Sequence, residues 1–283
     1  MEENNNMNDD EFDKILEDDE TSKDFDINID EIQKKKIDYK RIKKIDQSKK
    51  KAAIESVFDE RTTFNLNKLL MNGPLERVEG VISAGKEANV YLAYDLNGME
   101  VAIKIYKIDR NTSKWMRNYI IGDPRFKKIP KNISKIIFLW ASKEYKNLKR
   151  AYKVGLSVPK PILIKDNILI MEYIGFESIP APLLKDIKEP KNIVDLMKEI
   201  LVFIKYLFQK AQLVHGDLSE FNILYHNQKP VVIDISQAVS IYHPKAEIYL
   251  ARDIKNIFRY FEKLGVETPD PKEFYYEVIN VDN

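Results

Sequence analysis

Three oxygen-bearing side chains in the last quarter of the chain have the types and spacing of a metal-dependent site. Asp217 and Asn222 lie in one polar segment, HGDLSEFN, with four residues between them. Asp234 ends the apolar run 231–233, 12 residues after Asn222. Carboxylate and amide oxygens are the hard ligands that Mg²⁺ or Mn²⁺ prefers, and a loop carboxylate can take up a proton. The pattern predicts Asn222 and Asp234 as metal ligands and Asp217 as a base, whereas the neighbouring His215 is expected to support the backbone.

A turn rich in small residues, SAGKEANV at 83–90, lies between two strand-like segments. Small side chains let backbone N–H groups approach phosphate oxygens closely. The turn has a single glycine and matches neither the G-x-G-x-x-G loop nor the Walker A loop, so by itself it is more typical of an ordinary strand connection. As a phosphate-binding turn it would act through Ser83, Gly85 and Lys86.

Lys104 ends the apolar run 101–103, one hairpin after that turn. A lysine at the end of Val-Ala-Ile-Lys holds nucleotide phosphates in protein kinases, and the spacing of Asp217 and Asn222 equals that of the kinase catalytic loop. In isolation a strand lysine is usually a solvated edge residue, and one held near phosphates needs an acidic partner. Glu144, in the helix-like segment WASKEYKNL, is the predicted partner.

These residues require a scaffold in which strands come first and helices follow. The segments 77–83, 89–94 and 99–106 alternate in polarity, and Asn97-Gly98 favours a tight hairpin turn between the last two. A second hairpin is predicted around Asp166-Asn167. This order predicts an α+β fold with two lobes. Predicted helices cover 66–75, 133–153, about 190–212 and, as the last in the chain, about 245–263, and the stretch 107–132 is predicted as a polar loop.

The composition excludes several classes of protein. The 283 residues include no cysteine, which excludes disulfides, thiolate zinc sites and cysteine nucleophiles. A net charge of +1 argues against a protein that binds nucleic acid along its whole length. No run approaches the ~20 apolar residues that span a bilayer, and the acidic, Asn-rich start differs from a signal peptide. A soluble, cytoplasmic protein without membrane contact is expected.

Charge is distributed unevenly at the N-terminus. Residues 1–30 hold 13 Asp and Glu against two Lys, and residues 31–51 hold ten Lys and Arg against three acidic side chains. Low hydrophobicity with high net charge does not compensate the entropy of ordering. We therefore predict that 1–50 is a partly disordered extension of a folded domain at 51–283. The basic stretch is either an RNA-contacting helix or a solvated charged one.

Five motifs resemble the RIO family of atypical serine/threonine kinases, and within it the type-1 subgroup known from archaea and eukaryotes. In chain order they are GKEANVYLA, GDPRF, WASKEYKNLKRA, HGDLSEFN and IDISQ, within a match over roughly 56–265. The resemblance implies a two-lobed protein-kinase-like fold. A β-rich N-lobe is expected at about 76–171, a hinge at 171–175 and a helical C-lobe at about 176–283, truncated after the metal-binding aspartate.

The resemblance also implies ATP bound with Mg²⁺ or Mn²⁺ between the lobes. Lys104 would hold the phosphates and pair with Glu144. Main-chain groups of Glu172 and Ile174, in the hinge-like segment MEYI, would contact the adenine.

The chemical roles implied by the family fall on the acidic loop. Asp217 resembles the catalytic base, and Asn222 and Asp234 resemble the metal ligands. In this family the metal-binding aspartate is also thought to accept phosphate, so Asp234 would form an aspartyl-phosphate during ATP hydrolysis.

Departures from conventional protein kinases agree with the family. The chain has Asp234-Ile235-Ser236 where those kinases have Asp-Phe-Gly, and only 49 residues follow Asp234, with no Ala-Pro-Glu segment. Ala84 stands where the type-1 pattern usually has Thr. The stretch 107–132 corresponds to a mobile loop in the family that covers the nucleotide, which makes Thr112 and Ser113 candidate autophosphorylation sites.

Three classes of function remain on sequence alone. The first is a RIO-type kinase and ATPase that acts on precursors of the small ribosomal subunit, with oligomeric state undetermined. The second is a small-molecule phosphotransferase of the aminoglycoside or choline kinase type, which shares the His-Gly-Asp…Asn…Asp pattern. The third is a non-catalytic scaffold, which would be expected to lack one of Lys104, Asp217, Asn222 and Asp234.

Overall fold

The computed structural model describes residues 59–280. Its N-terminal part is a helix followed by a five-stranded antiparallel sheet: α1 (Glu60–Met71), β1 (Leu75–Ala84), β2 (Ala88–Asp95), β3 (Glu100–Tyr106), β4 (Pro161–Lys165) and β5 (Ile168–Glu172). The strand order is β1-β2-β3-β5-β4. β3 is the central strand and, apart from Glu100, all of its residues are buried. Lys104 therefore lies on the central strand, where its neighbours are Val90 on β2 and Leu169 on β5.

The two predicted hairpins are confirmed. β2 and β3 are joined by the turn at 95–98, where Gly98 has φ +76° and donates its N–H to the Asp95 carbonyl. This left-handed conformation favours glycine, as the Asn-Gly pair predicted. β4 and β5 are joined at Asp166 and Asn167, and Asn167 is buried with its amide donated to the Tyr106 carbonyl.

Two helices, α2 (Arg110–Ile120) and α3 (Ile133–Lys153), lie in the chain between β3 and β4. The C-terminal part is mostly helical. It contains α4 (Ile193–Gln209), α5 (Ala246–Lys263), α6 (Pro271–Ile279), a 3₁₀ turn (Leu184–Asp186) and three two-stranded pairs: β6 (Gly175–Phe176) with β7 (Ile179–Pro180), β8 (Leu213–Val214) with β11 (Val239–Ser240), and β9 (Ile223–His226) with β10 (Lys229–Val232).

The apolar core has two parts. A small cluster packs α1 against one face of the sheet through residues such as Leu69, Ile103 and Ile170. A larger cluster runs from the other face of the sheet through α3 into the C-terminal helices, and includes Trp140 and Ile200. Because one continuous core joins the sheet to the helices, α3 is fixed against both and can position groups between them.

The structure corrects the prediction of a polar loop at 107–132 over residues 110–120, which form α2, whereas 107–109 and 121–132 are irregular as expected. Asp109 caps a helix there by accepting hydrogen bonds from the backbone N–H and hydroxyl of Thr112, at 2.7 and 2.8 Å. The first turn of α2 is polar, but the helix also has an apolar face, from which Trp115 packs edge-on against Trp140 of α3. Thr112 and Ser113 are 7% and 4% exposed. Both are therefore shielded from a kinase site, and the mobile acceptor loop expected at these two residues is wrong.

Two helix limits also differ from those predicted. α1 begins six residues before Leu66 because Asp59 caps it, accepting from the Thr62 N–H at 2.7 Å, and it ends at Met71, directly before Asn72-Gly73-Pro74. The helix at 246–263 is not the last, since α6 follows with Asp270 as its N-cap and Pro271 in its first turn. Capping residues define all of these limits better than the apolar pattern does.

The extension at 1–50 lies outside the described residues, and the lobe limits remain a prediction. Across residues 59–280, no helix is both long and apolar enough to cross a membrane.

Candidate active site

The structure brings Lys104, Glu144 and Asp234 together from three separate elements. The Nζ of Lys104 donates to Glu144 Oε1 at 2.9 Å and to Asp234 Oδ1 at 2.7 Å. Lys104 is 7% exposed and Glu144 1%. Glu144 also accepts a hydrogen bond from the hydroxyl of Tyr106, on the same strand as Lys104. The lysine head is thus fixed between α3 and the strand end that holds Asp234.

The charges of this group explain its protonation. Burial disfavours the charged form of Lys104, but Asp234 and Glu144 outweigh that penalty and raise the lysine pKa. Burial opposes ionisation of Asp234, yet the Lys104 charge and hydrogen bond, with the Ser236 hydroxyl, hold its pKa below the usual value. Lys104 and Asp234 are therefore both charged at neutral pH, as a phosphate contact and a metal ligand must be.

The segment after Asp234 is held by side chains of α3. Asp234 itself has φ 55°, in the left-handed region. The Nζ of fully buried Lys143 donates to the Ser236 carbonyl at 2.7 Å. The Nδ2 of Asn147 donates to the carbonyls of Ile235 and Ala238, both at 3.0 Å. These bonds fix the backbone that follows Asp234, where conventional kinases continue into an activation segment.

The GDPRF motif completes this support. Arg125 makes an ion pair with buried Asp123 at 2.6 Å and donates to Asn147 Oδ1 at 2.7 Å and to the Ala238 carbonyl at 3.3 Å. Asp123 in turn accepts from the Ser240 N–H at 3.3 Å. The motif supported the family resemblance, but its place in the molecule did not follow from the sequence, since two of its partners, Ala238 and Ser240, lie more than 110 residues away.

Asp217 and Asn222 face one another in the catalytic-loop segment. Asn222 Nδ2 donates to the Asp217 carbonyl at 2.8 Å and to Asp217 Oδ2 at 3.3 Å, and Gln237 Nε2 donates to the same Oδ2 at 2.8 Å. Burial, and then the negative charge of Asp234, raise the pKa of Asp217 to about 6. A carboxylate with this pKa is ionised near pH 7 but accepts a proton more readily than an ordinary aspartate.

A further aspartate, Asp253 of α5, holds the backbone of this loop through hydrogen bonds. Its two carboxylate oxygens accept from the N–H groups of Gly216 and Leu218, both at 2.8 Å. Gly216 has φ +78°, and its carbonyl accepts from Arg252. Sequence reasoning included this helix in the match but did not select Asp253. An acidic residue on the buried face of an amphipathic helix was the available signal.

His215 lies in the same loop with 1% of its surface exposed, and burial lowers its pKa to about 4. The ring is neutral near pH 7. Among the described residues neither ring nitrogen has a hydrogen-bond partner, so the backbone support expected of His215 stays a prediction.

The small-residue turn meets the site through a residue that sequence reasoning did not select. Ser83, Gly85 and Lys86 are exposed, and the Gly85 N–H is used within the turn, donating to the Ala88 carbonyl at 3.0 Å. Burial, and then Asp234, raise the pKa of Glu87 to about 8. Glu87 is therefore the member of the turn that faces the acidic group, and phosphate contacts of the other three stay a prediction.

The hinge-like segment begins with the last two residues of β5 and leads into β6. The Oε2 of Glu172 accepts from the Lys160 N–H at 3.0 Å, and the Ile174 carbonyl accepts from the Ala181 N–H at 3.0 Å. Among residues 59–280, neither side chain forms a hydrogen bond or an ion pair with Lys104, Glu144 or Asp234. Their proposed adenine contacts stay a prediction.

The residues present fit a divalent cation that is shared with phosphates. Asn222 directs its Nδ2 to Asp217, and Asp234 directs Oδ1 to Lys104 and Ser236, so the Oδ1 of Asn222 and the Oδ2 of Asp234 remain for another partner. Within the described part of the chain, no cluster of three or more His, Asp or Glu could hold a metal alone. Mg²⁺ commonly uses one or two protein oxygens and completes its shell with phosphate and water. Burial is the main cause of the raised pKa values of Glu87 and Asp217, and the charge of Asp234 raises both further, so a cation beside Asp234 would relieve that repulsion.

The sequence and the fold both have close counterparts. The RIO domain family model matches residues 89–274. The RIO-type serine/threonine-protein kinase Rio1 of Haloferax volcanii is 39% identical over 229 residues, 80% of this chain and 77% of that protein. The Methanocaldococcus jannaschii Rio1 is 39% identical over 75% of this chain and 72% of that protein. Human RIO1 is 37% identical over 80% of this chain, which spans only 40% of that longer protein.

The Rio2 kinase of Chaetomium thermophilum, in a complex described as ADP/Mg²⁺-phosphoaspartate, superposes with a TM-score of 0.59 at 26% identity. The match covers 75% of this chain and 63% of that one. This confirms the predicted α+β, kinase-like architecture. With the family model over most of the chain, and with Lys104 in contact with Glu144 and Asp234 and Asn222 in contact with Asp217, this chain belongs to the RIO family of serine/threonine protein kinases.

Proposed function

We propose that the protein transfers the γ-phosphate of Mg-ATP to serine or threonine, its own included, and also to water through an aspartyl-phosphate on Asp234. The observation that supports this most is the contact of Lys104 with both Glu144 and Asp234, beside the Asp217–Asn222 pair. A scaffold without activity has no need of this charged group, whose burial costs free energy. The small-molecule phosphotransferase is less well supported, because the five motifs and the relatives are those of RIO-type protein kinases.

Each residue has a separate task in the transfer. Lys104 holds phosphate oxygens, and Asn222 and Asp234 hold Mg²⁺, which neutralises charge on the phosphates when bound. Asp217 accepts the proton of the attacking hydroxyl, and its pKa of about 6 suits that task near neutral pH.

The route to water uses Asp234 as a nucleophile. Its carboxylate oxygen attacks the γ-phosphorus, the bond from that phosphorus to the bridging β–γ oxygen breaks, and ADP leaves with the electron pair. Water then cleaves the acyl phosphate, giving inorganic phosphate and the free carboxylate. The Chaetomium thermophilum Rio2 complex, described with ADP, Mg²⁺ and phosphoaspartate, supports this chemistry for a relative.

We further propose that the enzyme works in the cytoplasm on precursors of the small ribosomal subunit, and that these particles set the pace of ATP hydrolysis. The resemblance to the RIO family supports the partner.

The particle proposal predicts that small-subunit precursors raise the rate of phosphate release from labelled ATP above that of phosphorylation of free protein. The measurement uses γ-labelled ATP and separates phosphoprotein, free phosphate and hydroxylamine-labile adduct. A rate that ignores the particles at every salt concentration, with rapid phosphorylation of free protein, would contradict it.

The raised pKa of Asp217 predicts a pH dependence. The base works only when unprotonated, so kcat/KM should fall about tenfold per pH unit below pH ~6 and level off above it. A profile from about pH 5 to pH 8 measures this limb. The acidic limb should disappear in Asp217→Asn, and a wild-type profile that is flat over the same range would remove Asp217 as the titrating group.

A further inference from the structure

One surface of the molecule is strongly basic and is not used by the proposed reaction. Residues 125–153 contain ten Lys and Arg and one acidic side chain, Glu144, which is buried against Lys104. Eight of the cations are exposed: Lys127, Lys128, Lys131, Lys135, Lys146, Lys149, Arg150 and Lys153. Among residues 59–280, no carboxylate lies within 4.0 Å of any of these eight.

Five of these cations share one face of α3. At about 100° per residue, Lys135, Lys146, Lys149, Arg150 and Lys153 point within about 60° of a common direction. We call this row the basic stripe. From its first to its last member the helix rises about 27 Å, so the charges extend along the helix and are not confined to one spot.

A cavity of about 360 Å³ lies at the C-terminal end of the stripe. Its lining consists of Arg125, Phe126, Lys146, Lys149, Arg150 and Lys153. Phe126 is half-buried and the Arg125 guanidinium lies 5.5 Å from its ring centre. The cavity therefore combines an aromatic ring with several cations, and contributes no acidic side chain.

We propose that the basic stripe binds the phosphate backbone of single-stranded RNA, with a base entering the cavity beside Phe126. Uncompensated like charges repel one another, and an anionic ligand relieves that repulsion. A charged track with an aromatic ring is the combination by which proteins hold single strands without reading their sequence. This binding needs neither ATP nor Asp217, so it goes beyond the phosphate transfer proposed above and does not depend on it.

The acidic segment 1–30 of this chain is the competing occupant, since it too is anionic. An extended RNA is favoured because its charges repeat regularly over the length of the stripe, and because the cavity offers a ring on which a base can stack.

The test measures binding of the full chain to a labelled mixed-sequence RNA of about 12 nucleotides, within the range of single-strand sites. If the stripe neutralises five phosphates, it contributes about −3.5 to the slope of log K against log salt, or roughly 100-fold weaker binding between ~50 and ~200 mM salt. Residues 31–51 also carry positive charge, and any contact that they make with the RNA adds to this slope. The decisive quantity is therefore the difference in slope between the wild type and the variant. Lys149→Gln with Lys153→Gln should make the slope shallower by about 1.4.

Lys198→Gln with Lys229→Gln is the matched control, because it removes two exposed charges from α4 and β10. It should leave the slope unchanged, and both pairs should keep wild-type ATP hydrolysis. Equal slopes in the stripe pair, the control pair and the wild type would overturn the proposal. A peptide of residues 1–30 that binds wild type but not the stripe pair, with RNA binding unaltered by either pair, would assign the stripe to the acidic segment and overturn it as well.

Discussion

Replacement of Asp217 by asparagine is expected to lower phosphate transfer to protein by about 10²–10⁴-fold, the usual cost of losing a general base. The amide keeps the size of the side chain and an oxygen that can accept from Gln237 or Asn222. What disappears is the proton acceptor. ATP should therefore still bind, because the residues assigned to the phosphates and the metal are unchanged.

The same variant should separate the two chemical steps assigned to the site. Attack by Asp234 on the γ-phosphorus needs no base, since this carboxylate is already ionised beside Lys104. Asp217→Asn should thus still form the hydroxylamine-labile adduct, while transfer to serine, threonine and water becomes slow. Single-turnover reactions with γ-labelled ATP measure both. Unchanged turnover in the phosphorylation and hydrolysis assays would remove Asp217 from the mechanism.

Much of this site could be predicted because its residues lie in short, continuous patterns. Lys104 and Asp234 each follow an apolar, strand-like run in the sequence. In the structure the two side chains contact each other. The partner of Lys104 was also predictable, since Glu144 is the acidic residue of the helix-like segment nearest to it in the chain. Their functional roles remain predictions until the variants are measured.

Residues that act at long range could not be predicted in this way. Lys143 and Asn147 support the backbone after Asp234 from about 90 residues away, and nothing local distinguishes them from other polar residues of α3. Asp253 supports the loop of Asp217 across 35 to 37 residues. Such contacts depend on how helices pack, so a pattern along the chain cannot specify them.

The error at 107–132 has a local cause. Four polar residues, Arg110 to Ser113, follow Asp109 and look like a loop. In the structure they form the first turn of α2, and the polarity belongs to the cap rather than to an irregular segment. This matters for function, because it buries Thr112 and Ser113, the two hydroxyls expected to accept phosphate.

Replacement of Asp234 by alanine is expected to abolish most of the Mg²⁺-dependent stabilisation by ATP. A ligand at 100 times its Kd stabilises the folded state by about 2.7 kcal/mol, which corresponds to a rise in Tm of roughly 5–10 °C for a domain of this size. Without the carboxylate, only Asn222 would remain of the assigned metal ligands. Lys104 would keep its bond to Glu144, so the ligand-free variant should still fold.

Asp234→Asn is the matched control, because it keeps one oxygen for the metal and removes the charge and the nucleophile. It should retain part of the Mg²⁺-dependent shift in Tm but form no hydroxylamine-labile adduct, whereas Asp234→Ala should lose both. Thermal unfolding with ATP in Mg²⁺ and in excess chelator measures the metal-dependent part. An ATP shift in the wild type that is the same in chelator would show that Asn222 and Asp234 do not hold a metal for the nucleotide. A full adduct in Asp234→Asn would place the phosphate on another residue, and Glu87, whose carboxyl faces Asp234, would be the next to replace.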